Sequence, residues 1–124
     1  MHKFFLTLGS IAGGLAVMIG AFGAHALRKT LEASGRLETF ETAVKYQFYH
    51  ALALLAVGIL LMSHQNRLLN YAGYSFIGGM LIFSGSLYIL SMSGVTKWGA
   101  VTPFGGVLFI VGWILLCWSV IKHF

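Results

Sequence analysis

GAFGAHALRK at residues 20–29 and ETAVKYQFYHALALL at residues 41–55, with a short charged segment between them, decide how this chain is read. The stretch from Gly20 to Leu55 holds all three acidic residues, Glu32, Glu38 and Glu41. It also carries Arg28, Lys29, Arg36 and Lys45, half of the eight basic residues, and two of the five histidines. With so much of the charge gathered here, the sequence on either side is left as long apolar runs. The stretch therefore reads as the link between a first and a second membrane-spanning segment.

Composition supports a bilayer as the solvent. Of 124 residues, 58% are hydrophobic and 9% charged, against about 25% charged in soluble domains. A single core of this size cannot hide so much apolar surface from water. The formal charge of +5 does not point to nucleic acid, because the basic residues sit at segment ends, where they meet lipid headgroups. The lone cysteine, Cys117, excludes an intrachain disulfide.

Working outward, the first span is placed at about residues 4–26. Lys3 and the Ala24-His25-Ala26 end imitate a secretion signal, but the apolar run is longer than a signal core. Gly9, Gly13, Ala16, Gly20 and Ala24 recur at helical spacing. They put small residues down one face, which makes Gly9, Gly13 and Gly20 candidate helix-packing positions. Between spans, Leu37, Phe40, Val44 and Phe48 recur at helical spacing, and Glu41 precedes Lys45 by four. This predicts an interfacial amphipathic helix over about 37–47 that continues into a second span at about 48–63, since no Gly or Pro intervenes before Gly58.

The third span is placed at about 71–92 and the fourth at about 101–121, with Pro103 in its first turn, where a missing N–H is tolerated. The expected fold is all-α: one transmembrane domain over residues 1–124, an integral membrane four-helix bundle with an amphipathic interfacial helix between the first and second transmembrane helices. Arg28, Lys29, Arg36, Lys45 and Lys97 belong to the side of the two connections, and Lys3, Arg67 and Lys122 to the side of the termini. The excess favours the connections in the cytoplasm.

Polar groups at membrane depth are costly and are read first as functional. His25 ends the first apolar run and His50 lies just inside the second, so a hairpin would bring both to one face, together with Thr102 at the start of the fourth span. On a helical wheel Ala43, Tyr46, Gln47 and His50 share a stripe expected to face the bundle, with Phe40, Val44 and Phe48 toward lipid or the interface. The candidate ligand-binding residues are therefore His25, Tyr46, Gln47, His50 and Thr102. The alternative is structural: a neutral histidine at a helix end that donates to a carbonyl or to Gln47 and locks the hairpin.

No catalytic, metal or cofactor site is assigned. Two histidines need further ligands, and Glu41 lies nine residues before His50, about 13 Å along a helix. Ser91, Ser93 and Thr102 have no nearby carboxylate to orient a histidine. No Asp or Glu lies inside a span to carry protons.

The blocks GAFGAHAL (20–27), Phe40-Glu-Thr-Ala43, Tyr46-Gln47, His50 to Leu55, Thr102-Pro103-Phe-Gly-Gly106 and Gly112-Trp113 resemble domain-of-unknown-function family 423, the YgdD/YwdK-like small membrane proteins that include transmembrane protein 256. The resemblance covers essentially the whole chain. It implies a small multi-pass protein, in bacteria in the cytoplasmic membrane, and brings no activity, cofactor or catalytic residue with it. Two functions compete. One is a structural or accessory bundle whose partners are the lipid bilayer and a homo-oligomer or larger membrane complex. The other is binding or transport of a small molecule or lipid at the polar end near His25 and His50. A membrane enzyme ranks last.

Overall fold

In hydrocarbon every backbone N–H and C=O must be satisfied within its own segment, so apolar runs of this length fold as helices. The computed structural model, which describes residues 1–124, shows α1 (His2–His25), α2 (Arg28–Ser34), α3 (Leu37–Leu61), α4 (Arg67–Gly79), a π-helical turn (Met80–Ser84), α5 (Gly85–Ser93), a 3-10 turn (Thr96–Ala100) and α6 (Thr102–His123). The third rod runs unbroken from Arg67 to Ser93, giving four helices long and apolar enough to cross a membrane. The shortest, α6, has 22 residues, about 33 Å, which exceeds a hydrocarbon core of about 30 Å.

The 37–47 segment and the second apolar run form one continuous helix, Leu37–Leu61, as the lack of Gly and Pro before Gly58 predicts. Phe40, Ala43 and Gln47 are buried, so bundle contacts take up that face. A separate short helix, α2, lies between the first two spans and is pinned by buried Leu31. It ends on Gly35, whose φ of +72° lets Arg36 N–H bond back to the Leu31 carbonyl. Phe40 departs from the stripe expected to face lipid or the interface. It is only 4% exposed, because it sinks onto Gly23 and meets Tyr88 edge-on with ring centroids 5.6 Å apart.

The four spans form two antiparallel pairs, α1 with α3 and the α4–α5 rod with α6. Lipid tails give no hydrophobic drive to helix association, so close approach and good packing must supply it. Glycine provides the approach. On α1, Gly9 faces Leu55 and the Ala51 carbonyl, Gly13 faces Ala51, Gly20 faces Val44 and Gly23 faces Phe40. In the second pair Gly79 accepts Phe109, Gly112 accepts Phe76, and Gly105 lies against the backbone of Phe83 in the π turn. Phe5 of α1 inserts at Gly73 of α4 and joins the pairs. The core is completed by Ala51, Leu54, Val57, Leu61 and Leu69. Large apolar side chains cover the outside, with Leu81 72% and Ile121 76% exposed, the surface that a bilayer solvates.

Glycines with and without neighbours should respond oppositely. A Cβ at Gly105 would collide with the Phe83 main chain, which cannot step aside, whereas Gly85 has open space around it. Gly105→Ala should cost about 1–3 kcal/mol, and Gly105→Leu should abolish monodisperse protein. Gly85→Ala should be neutral or raise stability by up to about 1 kcal/mol, since glycine is a poor helix former. Thermal unfolding in nanodiscs, followed by circular dichroism, separates the two.

Candidate functional site

Gln47 and His50, the two largest buried polar side chains, lie on α3, which touches α1, α4 and α5. Because α3 begins at Leu37, both sit near its midpoint rather than at one end. Gln47 Nε2 donates to the Ala12 carbonyl of α1 at 2.8 Å, and its Oε1 accepts from the Tyr88 hydroxyl of α5 at 2.6 Å. One amide thereby ties three helices together. One turn earlier, buried Ser84 in the π turn donates to the Ala43 carbonyl at 2.8 Å.

His50 is held by both ring nitrogens. Nδ1 lies 2.7 Å from the Tyr46 carbonyl and can only donate there, while Nε2 accepts from the Trp113 indole N–H at 3.0 Å. This pattern requires the neutral tautomer protonated on Nδ1. The ring stacks on Phe109 with centroids 3.6 Å apart and planes 10° from parallel. Neither nitrogen has a lone pair left for a metal ion or a substrate proton.

The five predicted ligand residues do not converge. Tyr46, Gln47 and His50 are neighbours on α3, with Tyr46 39% exposed and packed on Phe83 at 4.8 Å. Thr102 is elsewhere, sharing a 2.5 Å hydrogen bond with Ser86 and donating to the Trp98 carbonyl. His25 is exposed at the end of α1. The antiparallel register that sets Gly23 beside Phe40 and Ala12 beside Gln47 leaves His25 about 18 Å along the bundle axis from His50. The expected meeting of His25 and His50 does not occur, because α3 extends back to Leu37 and the end of α1 packs beside Phe40.

Tyr88, Trp113 and Ser84 were missed as partners. Their signal was chemical: the Tyr88 hydroxyl and the Trp113 indole N–H each bring into a span a polar atom that needs a bonding partner.

A cleft of about 310 Å³ opens sideways between α1 and the α4–α5 rod, with Gln47 and Tyr88 among its lining and Leu8, Ile11, Leu15 and Leu81 around it. Gln47 and Tyr88 are already bonded to each other, so the cleft offers an occupant little beyond hydrocarbon contact.

Four apolar spans closed around an internally satisfied polar centre define a polytopic α-helical membrane protein. Residues 19–106 match the model of the family described as Protein of unknown function (DUF423), and the chain belongs to that family. It is 46% identical to a UPF0382 membrane protein of Staphylococcus saprophyticus, over 92% of this chain and 93% of the relative. It is 41% identical to the UPF0382 membrane protein YwdK of Bacillus subtilis, over 98% of each chain. With the UPF0382 inner membrane protein YgdD of Escherichia coli the identity is 36%, over 97% of this chain and 91% of the relative. No solved structure matches.

The polar centre makes a quantitative prediction. Gln47→Leu strands the Tyr88 hydroxyl and should cost about 1–3 kcal/mol. A double-mutant cycle of Gln47→Leu with Tyr88→Phe should give a coupling of about 0.6 kcal/mol and no more than about 1.7, the average and the maximum for hydrogen bonds between membrane helices. Reversible unfolding in mixed micelles measures it, and a coupling near zero would show that the bond contributes nothing to the fold.

Proposed function

We propose that this chain is a structural or accessory component of the cytoplasmic membrane, a self-locked bundle that acts by packing, with copies of itself or within a larger membrane complex. The observation that carries this reading is the closure of the polar centre. Each ring nitrogen of His50 and each polar atom of Gln47 has an intramolecular partner, and all of these bonds except the one from His50 Nδ1 to the Tyr46 carbonyl of its own helix join α3 to another helix. A binding or transport site would keep some of these groups free toward a cavity. The small-residue face of α1 is used against α3, so assembly with other subunits would use the outer, large-side-chain faces instead. The cytoplasmic membrane as the location draws support from the inner membrane name of the Escherichia coli relative.

The test compares abundance with phenotype. Chromosomal variants Gln47→Leu, His50→Ala and Trp113→Phe should lose cellular function only in proportion to the loss of folded protein. A His50 variant present at wild-type level yet inactive would overturn the structural reading. Native mass spectrometry of protein released from nanodiscs should show a discrete multimer or a retained protein subunit.

Orientation follows from the basic residues, five on the side of the α1–α3 and α5–α6 connections against three at the termini. A reporter fused after Phe124 should therefore be active on the outer side of the membrane.

A further inference from the structure

Lys45 is the one lysine or arginine set well inside a spanning helix. It lies eight residues from the start of α3, about 12 Å along the helix, where an ammonium calls for an anionic partner. Glu41 lies one turn nearer the start of the same helix. Spaced as i and i+4 with the acid first, the two have the favoured arrangement for a helical ion pair. They do not form one, since the sole ion pair of the chain joins Arg28 and Glu32. Instead both border a continuous depression between α1 and α3.

The depression has two parts. The inner part is a groove of about 280 Å³ flanked by Ala16, Val17, Ala21, Phe48 and Tyr49. The outer part is a hollow of about 150 Å³ that includes Gly23, Ala24 and Glu41. Gly20, Val44 and Lys45 border both parts, so Lys45 stands where they meet. Along α3 from the connection inward the order is Glu41, Lys45, then an apolar trough whose α1 wall is built from small side chains.

We propose that this depression is a binding site for one aminophospholipid of the leaflet on the side of the α1–α3 connection. Such a lipid carries the complementary sequence of groups. Its primary ammonium is outermost and meets Glu41. Its phosphate lies deeper and meets Lys45, and an acyl chain descends along Val17, Ala21 and Tyr49. The charge order selects the class. An anionic glycerol headgroup would place no cation at Glu41, and a trimethylated headgroup keeps the charge but has no N–H to donate to the carboxylate. The site lies on the opposite flank of α1 from the 310 Å³ cleft and involves neither Gln47 nor His50, so it does not depend on the structural role proposed above.

The experiment is native mass spectrometry of the full chain released from nanodiscs that hold equal parts of phosphatidylethanolamine, phosphatidylcholine and phosphatidylglycerol. The wild type should retain one phosphatidylethanolamine in preference to the other two. Lys45→Gln should lower retention about fivefold, the worth of one basic residue at an anionic lipid surface. Glu41→Gln should remove the preference for phosphatidylethanolamine over phosphatidylglycerol. The double variant Glu41→Lys with Lys45→Glu keeps the composition and the exposed positions but reverses the charge order, and it should lose selective retention while eluting as wild type on size exclusion. Equal retention of the three lipids by the wild type, preference for phosphatidylglycerol, or unchanged selectivity in the reversed variant would each overturn the proposal. Lys97→Gln, at the same membrane face but outside the depression, should leave retention unchanged, and an equal drop there would show only general attraction to headgroups.

Discussion

The structure depends on aromatic rings seated on glycines. Where two helices must approach, a phenylalanine of one sits over a glycine of the other: Phe40 on Gly23, Phe5 on Gly73, Phe109 on Gly79 and Phe76 on Gly112, with Gly105 against Phe83 itself. In lipid no water is expelled when helices meet, and cohesion comes from contact area and shape. A ring over a bare backbone maximises contact at short interaxial distance, and dispersion summed over its atoms replaces the missing hydrophobic drive. These seats also set register. A slide of one turn along either pair would place each ring on a side chain.

Onto this apolar frame the chain adds a small polar centre around the midpoint of α3. Its strength lies in completeness. Hydrocarbon offers no substitute partner, so an unsatisfied amide or imidazole there would be expensive. Gln47 can bond to α1 and α5 at once because α3 occupies the middle of the bundle. The His50 tautomer is dictated by a carbonyl on one side and an indole N–H on the other. The π turn Met80–Ser84 belongs to the same design: Ser84 reaches the Ala43 carbonyl from it, and Phe83 meets Gly105 from it. A local change of helical pitch re-aims side chains without breaking the rod.

Much of this was legible in the sequence. Four apolar runs with charge between them announced four spans, and the small residues of the first run marked a packing face. Of the inward stripe read from helical spacing, Ala43, Gln47 and His50 are buried, while Tyr46 stays 39% exposed. What escaped was register. Spacing showed a helix running from residue 37 into the second span, but not that the end of α1 would pack beside Phe40, which leaves His25 far from His50. Phe40 was misplaced for a related reason: a wheel gives the angle of a side chain, but not the glycine waiting opposite it.

The sequence by itself determined the class of protein, the number of spans and the inward face of the central helix, because those depend on local periodicity and on the free energy of moving whole segments from water to lipid. Partners, register and closure were decided only by the tertiary structure. Which carbonyl Gln47 meets, which indole satisfies His50 and where Glu41 and Lys45 stand relative to a groove depend on the relative shift of two antiparallel helices. That shift is set by rings fitting onto glycines from another helix, a correlation between distant positions that no single stretch of sequence contains.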